Sequence, residues 1–259
     1  MKPFIFFITL MRGSVLIRIK EIKKGFRNKP VLDNVNLDIK EKEIFGIIGA
    51  SGAGKTTLLR LLIGFHQPDK GNILFKIKDN LRKRAMSSNR EIGFATQDSS
   101  FYFNLTVHEN LKYFAALHDI HEDIGGKISR VLGLVNLKGE ENHLAKDLSD
   151  GMKKRLDLAC ALIHEPKILI LDEPTANIDI SLKRQIWALI KKINKCGTTI
   201  ILSSHYLDEV EALCTRIAVI HNRKIAAVGT ASELKKRFAV KRKQALDDVF
   251  ENITSNRKK

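Results

Sequence analysis

Gly49-Ala50-Ser51-Gly52-Ala53-Gly54-Lys55-Thr56-Thr57 decides how the rest of this chain is read. The stretch has the spacing of a phosphate-binding loop: a glycine, four residues, then Gly-Lys-Ser/Thr. Before it, Ile44-Phe45-Gly46-Ile47-Ile48 is a short apolar run of the kind a buried strand makes. After it, Leu58-Leu59-Arg60-Leu61-Leu62-Ile63 reads as a helix that Gly64 ends. A chain turning back between strand and helix needs the backbone angles that glycine supplies, and room for an anion to come close. Successive N–H groups of the loop and of the helix start then face that anion. In such a loop Lys55 reaches the β- and γ-phosphates of a nucleotide, and the Thr56 hydroxyl ligates Mg²⁺. A glycine-rich turn with a stray lysine is the opposing reading, and the strand and helix on either side weigh against it. The loop implies nucleotide binding without saying what the energy is used for.

The 259 residues suffice for one large domain, or one with a subdomain, and a hydrophobic fraction of 44% is ordinary for a globular core. No apolar run approaches the ~20 residues that cross a bilayer. Pro3-Phe4-Ile5-Phe6-Phe7-Ile8-Thr9-Leu10-Met11 is too short to span; as a signal-peptide core it has only a thin positive flank, and no small-residue cleavage site follows. Residues 1–13 read as an extension, either an overextended start with Met11 as the initiator or a segment that touches a membrane or a partner. Cys160, Cys196 and Cys214 show no paired spacing, so neither a disulfide framework nor a zinc motif is expected. Cys160, within a helical apolar pattern, reads as a small core residue. Lys and Arg outnumber Asp and Glu 45 to 29, a net charge of +16. Nucleic acid or an anionic membrane surface would each suit that charge, as would simply solvated lysine-rich faces, so charge alone decides nothing.

In chain order, Val15 to Ile22 and Val31 to Ile39 read as strands, with Phe26 in a basic, turn-like stretch between them. Ile73 to Ile77 and Ile92 to Ala95 are further short strands, and the polar Lys78 to Arg90 reads as a loop. From Leu105 to His164 the period becomes helical. Thr106 caps the first helix, with Glu109 as capping-box partner. A second helix carries Ile124, Ile128, Val131 and Leu132, and a third opens at Leu148-Ser149-Asp150-Gly151-Met152. Ile168-Leu169-Ile170-Leu171 is a fully apolar strand ending in Asp172-Glu173, which is how a nucleotide-binding α/β protein presents a carboxylate to Mg²⁺. A helix from about Ser181 to Lys195, a strand from Thr198 to Leu202, His205, two short strands and a helix from Ala231 follow. In the tail, Leu246, Val249, Phe250 and Ile253 are apolar at helical spacing, which suggests dimerisation or partner docking.

Read together, these residues resemble the ATP-binding subunit of ABC transporters. Six motifs stand in that family's order: Gly49 to Thr57, Gln97, Leu148 to Met152, Ile168 to Glu173, Ala176-Asn177-Ile178-Asp179, and His205. The likeness covers about residues 14 to 237. It implies an α/β fold, a P-loop NTPase with a RecA-like core, an N-terminal antiparallel β subdomain and an inserted α-helical subdomain at about 99–164, followed by a basic, amphipathic tail at 238–259. It also implies roles. Phe26 stacks on adenine. Gly49, Ala50, Ser51, Gly52, Ala53, Gly54, Lys55, Thr56 and Thr57 cradle the phosphates. Thr56, Gln97 and Asp172 hold Mg²⁺, Glu173 is the general base, and His205 contacts the γ-phosphate. Ser149 and Gly151 bind the nucleotide of a second subunit, and Asp179 couples the two sites. The working form implied is a head-to-tail dimer, homomeric or heteromeric, at the cytoplasmic face of the membrane, driving a permease on a separate chain.

Three positions depart from the family pattern. Asp150 and Met152 replace the usual glycine and glutamine of the signature, and Ile180 stands where proline is common. The Met-containing signature and Ala245-Leu246-Asp247-Asp248-Val249-Phe250 resemble the ABC-2 type exporters of drugs, lipids or polysaccharides. The alternative function is a soluble ABC ATPase acting on nucleic acid or ribosomes. Such relatives usually carry long coiled coils, a zinc module or paired cassettes, which this chain lacks, so no nucleic-acid partner is expected. A small-molecule kinase is the third reading, opposed by the Leu148 to Met152 signature and His205.

Overall fold

Three segments buried along their whole length make the middle of a six-stranded sheet: β3 (Ile44–Ile48), β7 (Ile168–Asp172) and β8 (Thr199–Ser204). Continuous apolar runs suit strands covered on both faces, which is the condition of a parallel sheet with helices and a second sheet packed on it. The computed structural model describes residues 14–27, 29–77, 80–83, 91–238 and 246–254. The Pro3–Met11 run and the terminal Arg257-Lys258-Lys259 lie outside these, as does part of the 238–259 tail. With β6 (Ile92–Ala95), β9 (Arg216–His221) and β10 (Lys224–Gly229) the sheet order is β10-β9-β3-β8-β7-β6, parallel except for β10, which returns antiparallel on β9.

Successive side chains of each strand enter different cores, as a period of two requires. Phe45, Ile47, Ile168, Ile170, Ile201, Ala218 and Ile220 face α1 (Lys55–Leu62) and the N-terminal sheet. Ile44, Ile48, Leu169, Leu171, Ile200, Leu202 and Val219 face the other core, built with α2 (Val107–Leu117), α3 (Ile124–Val135), α4 (Asp150–Leu162), α5 (Ile180–Lys195) and α6 (Leu207–Leu213). Cys160 is part of that core, and all three cysteines are free thiols. Among the described residues no helix is long and apolar enough to cross a membrane.

The N-terminal sheet is antiparallel, in the order β2-β1-β4-β5, with β1 (Val15–Phe26), β2 (Lys29–Lys40), β4 (Lys70–Ile77) and β5 (Asn80–Lys83). The alternation of β1 is only partial because a bulge between Ile19 and Ile22, with Glu21 at φ 51°, shifts the register. Phe26 is the last residue of β1 rather than part of a turn. The loop expected over Lys78–Arg90 is corrected at Asn80–Lys83, which pairs with β4 from Ile77↔Asn80 to Leu74↔Lys83. An edge strand needs only backbone pairing, and charged side chains are normal there, so its polar sequence gave no strand signal.

Helix starts follow their local chemistry. The Thr106–Glu109 capping box is present at α2, as its sequence suggests, and Ser149 and Asp179 cap α4 and α5. The tail corrects an expectation. In α8 (Leu246–Thr254), Leu246, Val249 and Ile253 are buried in this chain's own core, against α6, α7 (Ala231–Phe238) and β10. That apolar face is therefore not free to serve a dimer or a docking partner.

Candidate active site

Four neighbouring parallel strands, β3, β8, β7 and β6, end at one edge of the central sheet, where ligand crevices of such sheets form. Register pairs Ile48 with Ser204, Asp172 with Ser203, and Leu171 with Ala95. The segments leaving those ends are the phosphate loop, His205, Asp172-Glu173 and Gln97.

The loop closes on itself through Ala53 N–H donating to Ala50 O at 3.1 Å. Gly54, at φ 104°, is where glycine is required. A Cβ there would lie 2.9 Å from Leu32 Cδ2 and 3.2 Å from Val31 Cγ1 on β2. The same contact carries the β1–β2 hairpin past the loop. Phe26, near its tip, is 40% exposed, with its ring 5.0 Å from that of His66 and Lys24 Nζ over its face. Among the described residues no side chain caps α1, so the amides of its first turn are open to an anion. Lys55 is 6% exposed, and its Nζ donates to Gly49 O at 3.0 Å and Ala50 O at 3.3 Å. Ala50, Ser51 and Gly52 are exposed, and Thr56 and Thr57 half-buried, at the start of the helix.

Glu173 stands between two of these groups. Its Oε1 is 3.8 Å from Lys55 Nζ and its Oε2 3.1 Å from His205 Nδ1. Its backbone is left-handed, φ 51°, held by Glu173 N–H donating to Ser203 O at 3.2 Å and Ser203 Oγ at 3.1 Å. Ser203 Oγ in turn donates to Asp172 Oδ1 at 2.5 Å. Gln97 is exposed; its carbonyl accepts from Lys154 Nζ at 2.7 Å, and Asp157 on α4 binds Ser100 N–H and Oγ just downstream. The Thr56 hydroxyl, the Gln97 amide oxygen and the Asp172 carboxylate are hard oxygen donors with one full charge, a set that fits Mg²⁺.

Ser149, Gly151 and Asp179 are brought together elsewhere. They line a surface cavity of about 660 Å³ with Asn136, Lys138 and Arg155, and no residue of the phosphate loop is in its lining. Ser149 Oγ accepts from Met152 N–H at 3.4 Å, and Asp179 Oδ1 accepts from Leu182 N–H at 3.0 Å. Met152 packs its side chain toward the core.

Sequence reasoning missed two supports. Ser203 is one; the other is Glu209, fully buried on α6, which accepts from Thr175 Oγ1 (2.7 Å), Ser204 Oγ (2.6 Å) and Trp187 Nε1 (3.1 Å). Burial pushes its carboxyl above the usual range, against the pull of those three donors. It ties the segment after Glu173 to the segment carrying His205. The available signal was polar: two serines ending a strand otherwise buried and apolar need partners.

The family profile described as ABC transporter matches residues 32–176. The linearmycin resistance ATP-binding protein LnrL of Bacillus subtilis is 33% identical over 224 residues, 86% of this chain and 72% of its own length. The chain belongs to the ABC transporter family. It carries that family's ATP-binding domain, with the P-loop NTPase fold. The probable multidrug ABC transporter ATP-binding protein YbhF of Escherichia coli is 36% identical over 228 residues, and this chain spans 39% of its length. Among solved structures, an ATP-binding subunit of an ABC transporter superposes with TM-score 0.79 at 24% identity over 92% of this chain and 99% of that one. The cbiO1 subunit from Clostridium perfringens, part of the cbiONQ complex, superposes with TM-score 0.77 at 26% identity, covering 87% and 96%.

Proposed function

We propose that this chain hydrolyses ATP to drive export of a substrate through a membrane subunit. The observation that carries the reading is Glu173, set between Lys55 and His205 at the ends of adjacent strands. Lys55 and the amides of Gly49 to Thr57 bind the β- and γ-phosphates, and Phe26 stacks on adenine. Thr56, Gln97 and Asp172 hold Mg²⁺, which when bound offsets phosphate charge. Glu173 accepts the proton of the attacking water, and His205 orients that water and the γ-phosphate. Ser149 and Gly151 contact the nucleotide of a second copy or a paralogue, and Asp179 couples the sites. Their separation from the phosphate loop within one chain supports a head-to-tail dimer.

The catalytic domain is 14–237, with the helical part near 99–164. The export reading is supported by the names of relatives, among them a Nod factor export ATP-binding protein of Sinorhizobium fredii, 35% identical over 83% of this chain and 63% of its own. The membrane subunit would meet the chain at the cytoplasmic face of the membrane, and the exposed Tyr102, Phe103 and Tyr113 offer apolar surface for that contact. Phosphate release by the full chain tests the site. Glu173→Gln should keep ATP binding and lose most turnover, on the order of a hundredfold; unchanged turnover removes Glu173 as the base.

A further inference from the structure

We propose that Ser203 is a positioning residue for the hydrolytic reaction: one buried hydroxyl orients both Asp172 and Glu173. The proposal rests on the roles given to those two carboxylates above. Ser203 is fully buried in β8, where an unpaired hydroxyl is costly. A serine hydroxyl has one proton to donate and lone pairs to accept with. Here the proton goes to Asp172 Oδ1 at 2.5 Å and a lone pair receives Glu173 N–H at 3.1 Å. Asp172 and Ser203 are register partners on adjacent strands, so the first bond holds one carboxylate oxygen of Asp172 against β8.

The second bond acts on a strained residue. Glu173 has φ 51°, a conformation that residues with a Cβ adopt only where their surroundings hold them. That conformation aims its side chain at Lys55 and His205. Ser204, the next residue, bonds Glu209 instead, so the two serines do different work. Without the Ser203 hydroxyl, Glu173 N–H keeps only the Ser203 carbonyl, and Asp172 Oδ1 loses this donor.

The test uses the full chain with ATP, Mg²⁺ and a fluorescent ATP analogue, comparing Ser203→Ala, Ser203→Cys and Ser203→Thr. Cys keeps the volume with only a weak donor, and Thr keeps the hydroxyl. Ala and Cys should lower turnover roughly tenfold to a hundredfold. They should raise the Mg²⁺ concentration for half-maximal hydrolysis, and leave analogue affinity without Mg²⁺ within about twofold, since uniform binding is untouched. Thr should restore turnover. If Ala and Cys match wild type while Glu173→Gln is inactive, the proposal is overturned and the roles of the carboxylates stand. If Thr is as impaired as Ala, with equal losses of melting temperature, Ser203 is only a packing residue and the proposal is likewise overturned. If Glu173→Gln and Asp172→Asn also hydrolyse normally, the parent reading falls and takes the proposal with it.

Discussion

Lys55 shows how burial sharpens a single charge. At 6% exposure its ammonium is held by the loop carbonyls and faces Glu173, so little water competes with an arriving phosphate. Lys55→Ala should therefore abolish binding rather than slow the chemistry, with affinity for a fluorescent ATP analogue down roughly a hundredfold or more. Normal affinity would remove Lys55 from the site. His164 is a different buried group. Its Nε2 bonds Ile92 O at 3.1 Å, its ring stacks on His118 at 3.7 Å, and its Nδ1 has no hydrogen-bond partner among the described residues. Burial, and then the His118 charge, hold its pKa down from 6.5 to about 4. Between those values the unfolded chain binds a proton that the folded chain does not. Stability is thus full above the unfolded value and lost as pH falls through the window. Buried Asp157 and Glu209, both raised, act in the opposite sense. The informative comparison is therefore with His164→Gln, whose denaturant-derived stability should fall less between those pH values, by up to about 3 kcal/mol. Equal slopes would exclude His164 as the titrating group.

At the scale of elements, α8 decides what the tail does. Leu246 is 2% exposed and Val249 fully buried, on a helix lying against α6, α7 and β10. Leu246→Ala should cost about 2–4 kcal/mol in denaturant unfolding, from lost transfer energy and the cavity left behind. It should leave the ATP-dependent association of the folded protein unchanged. An intact stability with weakened association would return the tail to the docking role its sequence suggested. α6 has a similar lesson. Its seven residues gave no clear periodic signal, yet it brings Glu209 under the segments carrying Thr175 and Ser204.

For the whole molecule the consequence lies at Asp150. It is exposed in the first turn of α4, one residue after the Ser149 cap, beside the cavity assigned to the partner's nucleotide. In the proposed dimer a carboxylate there would favour the folded helix through its dipole but repel a γ-phosphate on closure. The two effects separate experimentally. In a Glu173→Gln background, Asp150→Gly should slightly lower the melting temperature and raise the ATP-dependent dimer constant by at least about threefold. A dimer fraction that falls or stays level would show that Asp150 points away from the nucleotide.

The phosphate loop, the apolar strands and the capping box were legible because each depends on neighbours in sequence. Glycine spacing, a run of buried residues and a Thr-x-x-Glu pair carry their own physical reasons. The order of motifs also carried the family, since chain order is preserved whatever the packing. Side-by-side relations were not legible. That β8 lies between β3 and β7, placing Ser203 against Asp172 and His205 against Glu173, is a property of strand order, and strand order is settled by which faces bury together. β5 was hidden for a related reason, because an edge strand is defined by backbone pairing and not by apolar side chains. The apolar face of α8 was visible in the sequence, but its partner was not. Periodicity shows that a face must be covered, and only the tertiary structure decided that this chain covers it itself.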